Sequence, residues 1–425
     1  MPTPKFYGWK LLTALWIVVF INLAFPIYGS RGVEAVMMQD LGLNRQTLGL
    51  IFSLFTIMSG LPGPLVAICV GRFGIRLTLL CGSLLIVAGS ISMATVVNSG
   101  LLAALVFGCI VGIGVAMGGV IAAQAGLARW FVRRRAFVLA ILSTASAVGG
   151  FVAAPLVNRV VALCGGNWRM GWWCMAVLSC LAAAVAFAWV KETPESLGQM
   201  PDGDTEETPS WDKQTKAKSW RGAVHRTQEI WTYRESLSGS TYWLLMACQL
   251  AMSCGFIVFL SHGVVHLMDL GHTRASASWA ISLLALVGLL AKGIVAVLGD
   301  KLDPRYIWAC FIGFFGLGQL LVVNADSTAL MVAAALCMGI GFGGGVVCLA
   351  AVLSNYFGTK PFASLSGLTI AINTTLGAVT PFIAGRLYDN GYGYGGVFYT
   401  LAGWCAAGAV VMFTIKPPFK KTSNV

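Results

Sequence analysis

Apolar runs of about 20 residues, the length that crosses a bilayer core, recur twelve times along this chain and leave it few other ways to fold. They lie near 10–30, 46–69, 76–97, 101–128, 136–162, 169–190, 241–267, 275–299, 305–323, 328–355, 362–386 and 394–415. Helices are expected, because a span surrounded by lipid must satisfy its own backbone hydrogen bonds. The short alternating segments of a barrel strand are not seen. Composition agrees: 57% of residues are hydrophobic and 10% charged, against about 25% charged in an ordinary soluble domain. The expected fold is an all-α membrane protein with twelve transmembrane helices. No cleaved leader is expected, since the first run is long and lacks a small-residue cleavage site.

Basic residues orient the helices. Lys5, Lys10, Arg72, Arg76, Arg129, Arg133, Arg134, Arg135, Lys301, Arg305, Lys360, Lys416, Lys420 and Lys421 flank one set of ends. The other set holds Arg31, Arg45, Arg159, Arg169, Arg274 and Arg386. The richer side faces the cytoplasm, which puts both termini there. This asymmetry accounts for the net charge of +12 without a nucleic-acid partner. The twelve cysteines are scattered, with no CxxC and no Cys/His ligand spacing, and read as small buried hydrophobes. No metal, cofactor or nucleotide loop of the G-x-x-x-x-G-K type is found, so no enzyme is expected.

Residues 191–240 interrupt the apolar pattern with a polar segment that begins KETPESLGQMPDGDTEETPSWDKQTKAKSW. They read as a cytoplasmic linker, flexible at 198–215, with a short interfacial helix at 219–236 carrying Trp220 and Trp231. A six-span bundle, 1–190, precedes the linker, and another, 241–425, comes after it. The halves look like repeats. RWFVRRRAFVLAILSTASAVGGFVAAP (129–155) lies over NYFGTKPFASLSGLTIAINTTLGAVTP (355–381) without a gap, pairing Trp130 with Tyr356, Phe131 with Phe357 and Pro155 with Pro381. A two-fold repeat of six spans implies bundles that rock about a central site.

The six-plus-six pattern, the cytoplasmic termini and the long middle loop resemble the major facilitator superfamily. GRFGIR (71–76), between spans 2 and 3, and GDKLDPR (299–305), between spans 8 and 9, resemble its G-D-R-x-G-R-type loop. The second copy keeps an acid, Asp300; the first has Gly71 in that place. Within the superfamily, HGVVHLMDLGHTRASASWAISLLALVGLLAKGIVAVLGDKLD (262–303) resembles the oxalate/formate antiporters and monocarboxylate porters. YGWK (7–10) and AFP (24–26) are similar to that group too. The resemblance implies a His in span 7, a D-x-G at its outer end, and a span-8 cation that binds the substrate carboxylate. His262, Asp269 with Gly271, and Lys292 occupy these places. The group's cation is an Arg, so Lys292 is a departure. So is Gly288, which stands where the animal porters carry an acid.

Lys292 is the one charge in ISLLALVGLLAKGIVAVLG (281–299). An ammonium at mid-bilayer costs at least about 2.5 kcal/mol. It must snorkel to the headgroups, pair with an acid on another helix, or face a wet cavity. None of the sixteen acids falls at mid-membrane: Glu34, Asp40, Asp269, Asp326 and Asp389 lie at outer ends, Asp300 and Asp303 at an inner one, and nine in the linker. A cationic cavity without a counter-ion suits an anionic substrate. His262 is the proton-relay or substrate-contact candidate, with a core histidine on a backbone carbonyl as its alternative; His266, a turn farther out, reads as interfacial. Asn22 and Tyr28 in span 1, and Asn373 and Thr374 in span 11, are cavity-lining or helix–helix polar groups. Arg31 is a second cation for a dianion, or a surface partner of Glu34.

The function expected is secondary active transport of small organic anions, monocarboxylates first, by rocker-switch alternating access. Lys292 anchors the carboxylate, and proton coupling (through His262 or Lys292) or anion exchange supplies the drive. The alternative is an exporter of amphipathic compounds in which Lys292 is structural. A monomer is expected, with the bilayer, the anion and protons as its only partners. The resemblance places it in a plasma membrane, specifically a bacterial inner membrane.

Overall fold

The computed structural model describes residues 6–43, 45–204 and 224–419. Among them, helices dominate and eleven stretches are long and apolar enough to cross a membrane. One of these, Leu50–Thr95, is 46 residues long and holds two of the twelve expected spans. Its helices Arg45–Gly60 and Gly63–Thr95 meet at Leu61–Pro62, and the second breaks at Gly74, φ 85° and ψ 174°. A residue with a Cβ is disfavoured there, so this glycine carries the turn from span 2 to span 3. The other spans are Gly8–Gly29 (span 1), Gly100–Trp130 (4), Arg135–Leu163 (5), Trp168–Trp189 (6), Ser240–Asp269 (7), Arg274–Leu298 (8), Pro304–Val323 (9), Thr328–Phe357 (10), Phe362–Leu387 (11) and Gly393–Thr414 (12).

Helix starts follow local chemistry. Ser99, Asn167, Thr273, Asp303 and Ser327 each accept a hydrogen bond from a first-turn amide, satisfying donors the helix itself leaves open. Span 1 opens into wider turns over Phe20–Gly29 around Pro26. Pro155 and Pro381 sit at matching depth inside spans 5 and 11, where neighbouring groups can take up the carbonyl that proline frees.

The chain divides into two compact units. One holds the described parts of Met1–Arg133, Ile141–Thr208 and Ala363–Thr374; the other holds those of Arg134–Ala140, Pro209–Phe362 and Thr375–Val425. The first turns of spans 5 and 11 are thus grouped apart from the rest of their helices.

In the first unit, glycines let helices touch backbone to backbone. A Cβ on Gly82 would lie 2.1 Å from the Gly118 amide nitrogen, and one on Gly63 would lie 2.3 Å from the Gly367 carbonyl oxygen. The core packs Phe25, Phe55, Phe107, Trp168, Trp172 and Met175, with Phe55 stacked on Phe107 at 4.4 Å. The loop that lacks its own acid receives one from the start of the linker. Glu192 accepts from the Ile75 and Arg76 amides, both at 2.8 Å, and faces Arg129 at 3.7 Å. Asp202 does the same for the Val132 and Arg133 amides, and Asp204 pairs with Arg133.

In the second unit, Gly343 of span 10 meets span 8: a Cβ there would stand 2.1 Å from the Gly288 carbonyl oxygen. Asp300 accepts from the Ala136 and Phe137 amides at 2.9 and 3.0 Å, capping the first turn of span 5. A carboxylate at a helix N-terminus meets both open donors and the positive end of the dipole.

The later linker departs from expectation. Trp220 lies outside the described residues, as does most of 198–215. Residues 224–232 are not helical, and the helix begins only at Tyr233, behind a capping box of Thr232 and Glu235. Trp231 is buried against Phe357, at a 5.5 Å ring separation, rather than lying in an interface. The Thr227 amide donates to the Asn355 carbonyl, and His225 sits between Tyr356 and Phe419. Tertiary contacts at the end of span 10 outcompete helix formation in this strand.

Burial pushes His225 below the usual histidine range; Asp303 and Glu229 pull it up, and Arg305 pushes it further down. A histidine so depressed adds docking stability that is complete above its free pKa of about 6.5. That stability is lost as pH falls through this value towards the docked one. The protection of the Thr227 amide against deuterium exchange, taken relative to the intrinsic rate at each pH, is therefore expected to fall between pH 7.5 and pH 5.5, and to lose this pH dependence in His225→Gln. Separately, Gly343→Leu overpacks the contact between spans 8 and 10. It is expected to cost about 1–3 kcal/mol and lower the melting temperature by about 3 °C or more. Gly313→Leu, where a Cβ meets nothing within 4 Å, is expected to leave the melting temperature unchanged or raised.

Candidate functional site

Three stripes run along span 8. Ala277, Ala280, Leu284, Ala291 and Val295 are at most 3% exposed and pack inward. Trp279, Leu286, Leu290, Ile294 and Val297 are 43–66% exposed, a bulky surface suited to acyl chains. Ser282, Ala285, Leu289, Lys292 and Ala296 form the third, at helical spacing and roughly 100° round from the bulky stripe. Ser282 and Ala285 are exposed, whereas Leu289, Lys292 and Ala296 are half-buried. All of them but Leu289 are small or polar, the kind of side chain a helix shows to a wet surface or to a neighbouring backbone rather than to lipid. Lys292 thus projects from a face distinct from the lipid-facing one. Gly288, one turn before it, is pressed against span 10: a Cβ there would meet the Gly339 carbonyl oxygen at 3.3 Å and Gly343 at 3.6 Å. The place where the animal porters carry an acid is here a backbone contact.

His262 lies in span 7, half-buried, with both ring nitrogens engaged. Nε2 is 3.0 Å from the Pro381 carbonyl oxygen, and Nδ1 is 3.1 Å from the Tyr394 hydroxyl. A carbonyl only accepts, so Nε2 carries the hydrogen in the neutral ring and Nδ1 accepts from Tyr394. The Tyr394 ring stacks on His262 at 5.1 Å and on Tyr388 at 4.4 Å. Tyr388 in turn donates to Asp269 at 3.2 Å. His266, expected at the interface, is instead buried and donates from Nε2 to the Val322 carbonyl at 3.0 Å. It serves the open C-terminal end of span 9. His272 meets the Ala325 carbonyl at 2.6 Å.

The remaining candidates fall in the first unit, in separate neighbourhoods. Asn22 is fully buried; its amide donates to Ser83 Oγ at 2.8 Å and to the Gly118 carbonyl at 3.2 Å, tying span 1 to spans 3 and 4. A side chain with no exposed surface and both amide hydrogens in use joins helices. Tyr28 is 38% exposed beside Gly150 of span 5. Arg31 pairs with Glu34 at 3.2 Å and lies over the Phe52 ring at 4.0 Å. Asn373 donates to the Thr369 carbonyl of its own helix at 2.8 Å. Thr374 packs against Gly60 so closely that a Cβ there would meet Thr374 Oγ1 at 2.2 Å.

Sequence reasoning passed over Tyr388 and Tyr394. Their signal is the tyrosine–glycine alternation YDNGYGYGG (388–396), which has the look of a loop because the glycines mask its depth. In the structure it carries the chain into span 12 and turns Tyr394 inward, 7% exposed.

The chain matches the sequence model of the Major Facilitator Superfamily over residues 15–273 and 252–425. It is 22% identical to Monocarboxylate transporter 2 of Homo sapiens over 98% of this chain and 88% of that protein. It is 26% identical to Monocarboxylate transporter 3 of Rattus norvegicus over 93% and 77%, and 21% identical to an uncharacterized transporter, YycB, of Bacillus subtilis (strain 168) over 92% and 90%. Among solved structures it resembles the proton:xylose symporter XylE bound to 6-bromo-6-deoxy-D-glucose, with TM-score 0.70, 15% identity and coverage of 96% and 95%. It also resembles the human organic anion transporter MFSD10, with TM-score 0.67, 17% identity and coverage of 97% and 100%. These likenesses show the fold. With the family match spanning nearly the whole chain, this multi-pass membrane protein belongs to the Major Facilitator Superfamily of transporters.

Proposed function

We propose that the protein is a secondary active transporter of small organic anions, monocarboxylates foremost, working by alternating access. The observation that carries this reading is Lys292, half-buried in the middle of span 8 on a face turned away from the bulky, most exposed stripe. The names of the relatives support the same substrate class. Lys292 binds the carboxylate as a point charge; it lacks the two-pronged fork of arginine, which suits a small monoanion. The charge of Arg31 goes to Glu34 and Phe52, so no second cation for a dianion is assigned. Tyr28 keeps a place as a lining residue because it stays exposed.

Coupling follows from the same charge. Carrying a bare ammonium through the transport cycle is unfavourable, so the empty carrier returns slowly and exchange of one anion for another is favoured. Net uptake needs a proton, for which His262 is the assigned group. The basic ends of the spans face the cytoplasm in a plasma membrane.

Uptake of labelled lactate and pyruvate into proteoliposomes tests the reading. Wild type is expected to accumulate either one, on an inward proton gradient or after preloading with carboxylate. Lys292→Ala is expected to lose about ten- to a hundred-fold of that rate, as for a lost hydrogen bond to a charged group. Lys292→Arg is expected to retain part of it. Flux indifferent to Lys292→Ala would instead leave the lysine structural and favour export of neutral amphipathic compounds.

A further inference from the structure

Resting on the transport reading above, we infer that Nδ1 of His262 is the atom that takes up the coupling proton and that Tyr394 is the residue that positions it. The Pro381 carbonyl, 3.0 Å from Nε2, holds that nitrogen protonated in either state of the ring. Only Nδ1 has a lone pair to offer, and the one group shown against it is the Tyr394 hydroxyl at 3.1 Å. A hydroxyl both donates and accepts. It donates to Nδ1 in the neutral ring and, after rotating, accepts from Nδ1–H in the imidazolium. A proton from the outer aqueous phase adds to the Nδ1 lone pair, the Nε2–H stays on Pro381, and only the Tyr394 hydrogen changes direction. Release to the inner phase reverses the step, and no other bond is made or broken.

The geometry around Tyr394 is built to hold this arrangement. Its ring lies nearly parallel to the imidazole, 29° between planes, and is backed by Tyr388 at 24°. His266 meets it edge-on at 5.9 Å and 81°. Tyr388 is tied to Asp269 by its hydroxyl, so a carboxylate at the outer end of span 7 steadies the stack through one intermediate ring. The titratable and charged groups on the elements packed here are few. Span 7 brings His266, occupied on Val322, and Asp269. Span 12 and the turn before it bring Tyr394, Tyr388 and exposed Tyr399, together with Asp389 and Tyr392, whose side chains are outside those described. Span 8 carries Lys292 and, as its first residue, Arg274, whose side chain is outside those described; span 9 carries Arg305 at the inner end and span 11 exposed Arg386; span 10 carries no Asp, Glu, Lys or Arg. Among the described side chains, the Tyr394 hydroxyl is the hydrogen-bond partner of Nδ1.

The chain has four histidines, so nitrogen-15 histidine spectra of the protein in lipid bilayers can be assigned to His262 by difference from His262→Gln. Wild type is expected to show a neutral Nε2–H ring with bare Nδ1 that gains its proton on acidification. Tyr394→Phe is expected to keep the Nε2–H tautomer, held by the Pro381 carbonyl, but to shift the Nδ1 resonance as the hydrogen bond from the tyrosine is lost. In proteoliposomes, the ratio of proton-driven lactate uptake to lactate counterflow at equal pH is expected to fall about ten-fold in Tyr394→Phe, as for a lost hydrogen bond to a charged group. A neutral Nδ1–H ring in wild type overturns the assignment. So does an unchanged ratio in Tyr394→Phe, which would leave the tyrosine merely structural. A wild type that exchanges lactate but ignores the proton gradient also overturns the proton site while sparing Lys292. A wild type that moves no lactate counts against the transport reading, and the tautomer spectra then decide this one alone.

Discussion

Hydrocarbon solvates neither a charge nor a bare peptide group, and the structure answers both demands with the same economy. Helices satisfy their own ladders, and glycines let them close on one another, as at Gly82 with Gly118 and Gly288 with Gly343. Charges are kept to helix ends. Lys292 is the departure from that rule on span 8, and the helix around it is arranged accordingly. The most exposed bulky residues are gathered on one side, the packed alanines on another, and the lysine stands between them on a face it shares with Ser282, Ala285, Leu289 and Ala296.

The ends of the helices use carboxylates as the counterpart. Glu192, Asp202 and Asp300 each accept from two consecutive backbone amides. Each ties a distant part of the chain to a loop or a helix start. The two acids serve different places: Glu192 accepts from the turn between spans 2 and 3, whereas Asp300, in the loop between spans 8 and 9, caps the first turn of span 5. Aromatic packing follows the repeat. Phe6 and Tyr7 lie against Trp130, and His225 lies against its counterpart Tyr356.

The helical fold was legible because its signal is long and one-dimensional: twenty apolar residues at a time, with glycine, proline or a capping side chain at the breaks. The family was legible from loop spacing and from the ordered pattern of His262, Asp269 and Lys292. Partnerships were not, because they join residues far apart in sequence. Nothing around Gly71 announces Glu192, and nothing around His262 announces Tyr394, 132 positions on. The interfacial helix expected near Trp231 failed for the same reason: its local pattern is helical enough, but Phe357 and Asn355 offer the strand more as an extended segment. Asn22 shows the converse. A polar residue in a span signals either a cavity or a helix contact, and only its complete burial against Ser83 distinguishes them.

The transport reading turns on whether the Lys292 ammonium recognises a carboxylate charge. Equilibrium binding of lactate and of lactamide, its neutral isostere, to the purified protein decides this, because binding is read without any driving gradient. Wild type is expected to bind lactate well ahead of lactamide, and Lys292→Ala is expected to lose this preference. Equal binding of the two by wild type, or a preference that survives Lys292→Ala, would contradict the role given to the lysine.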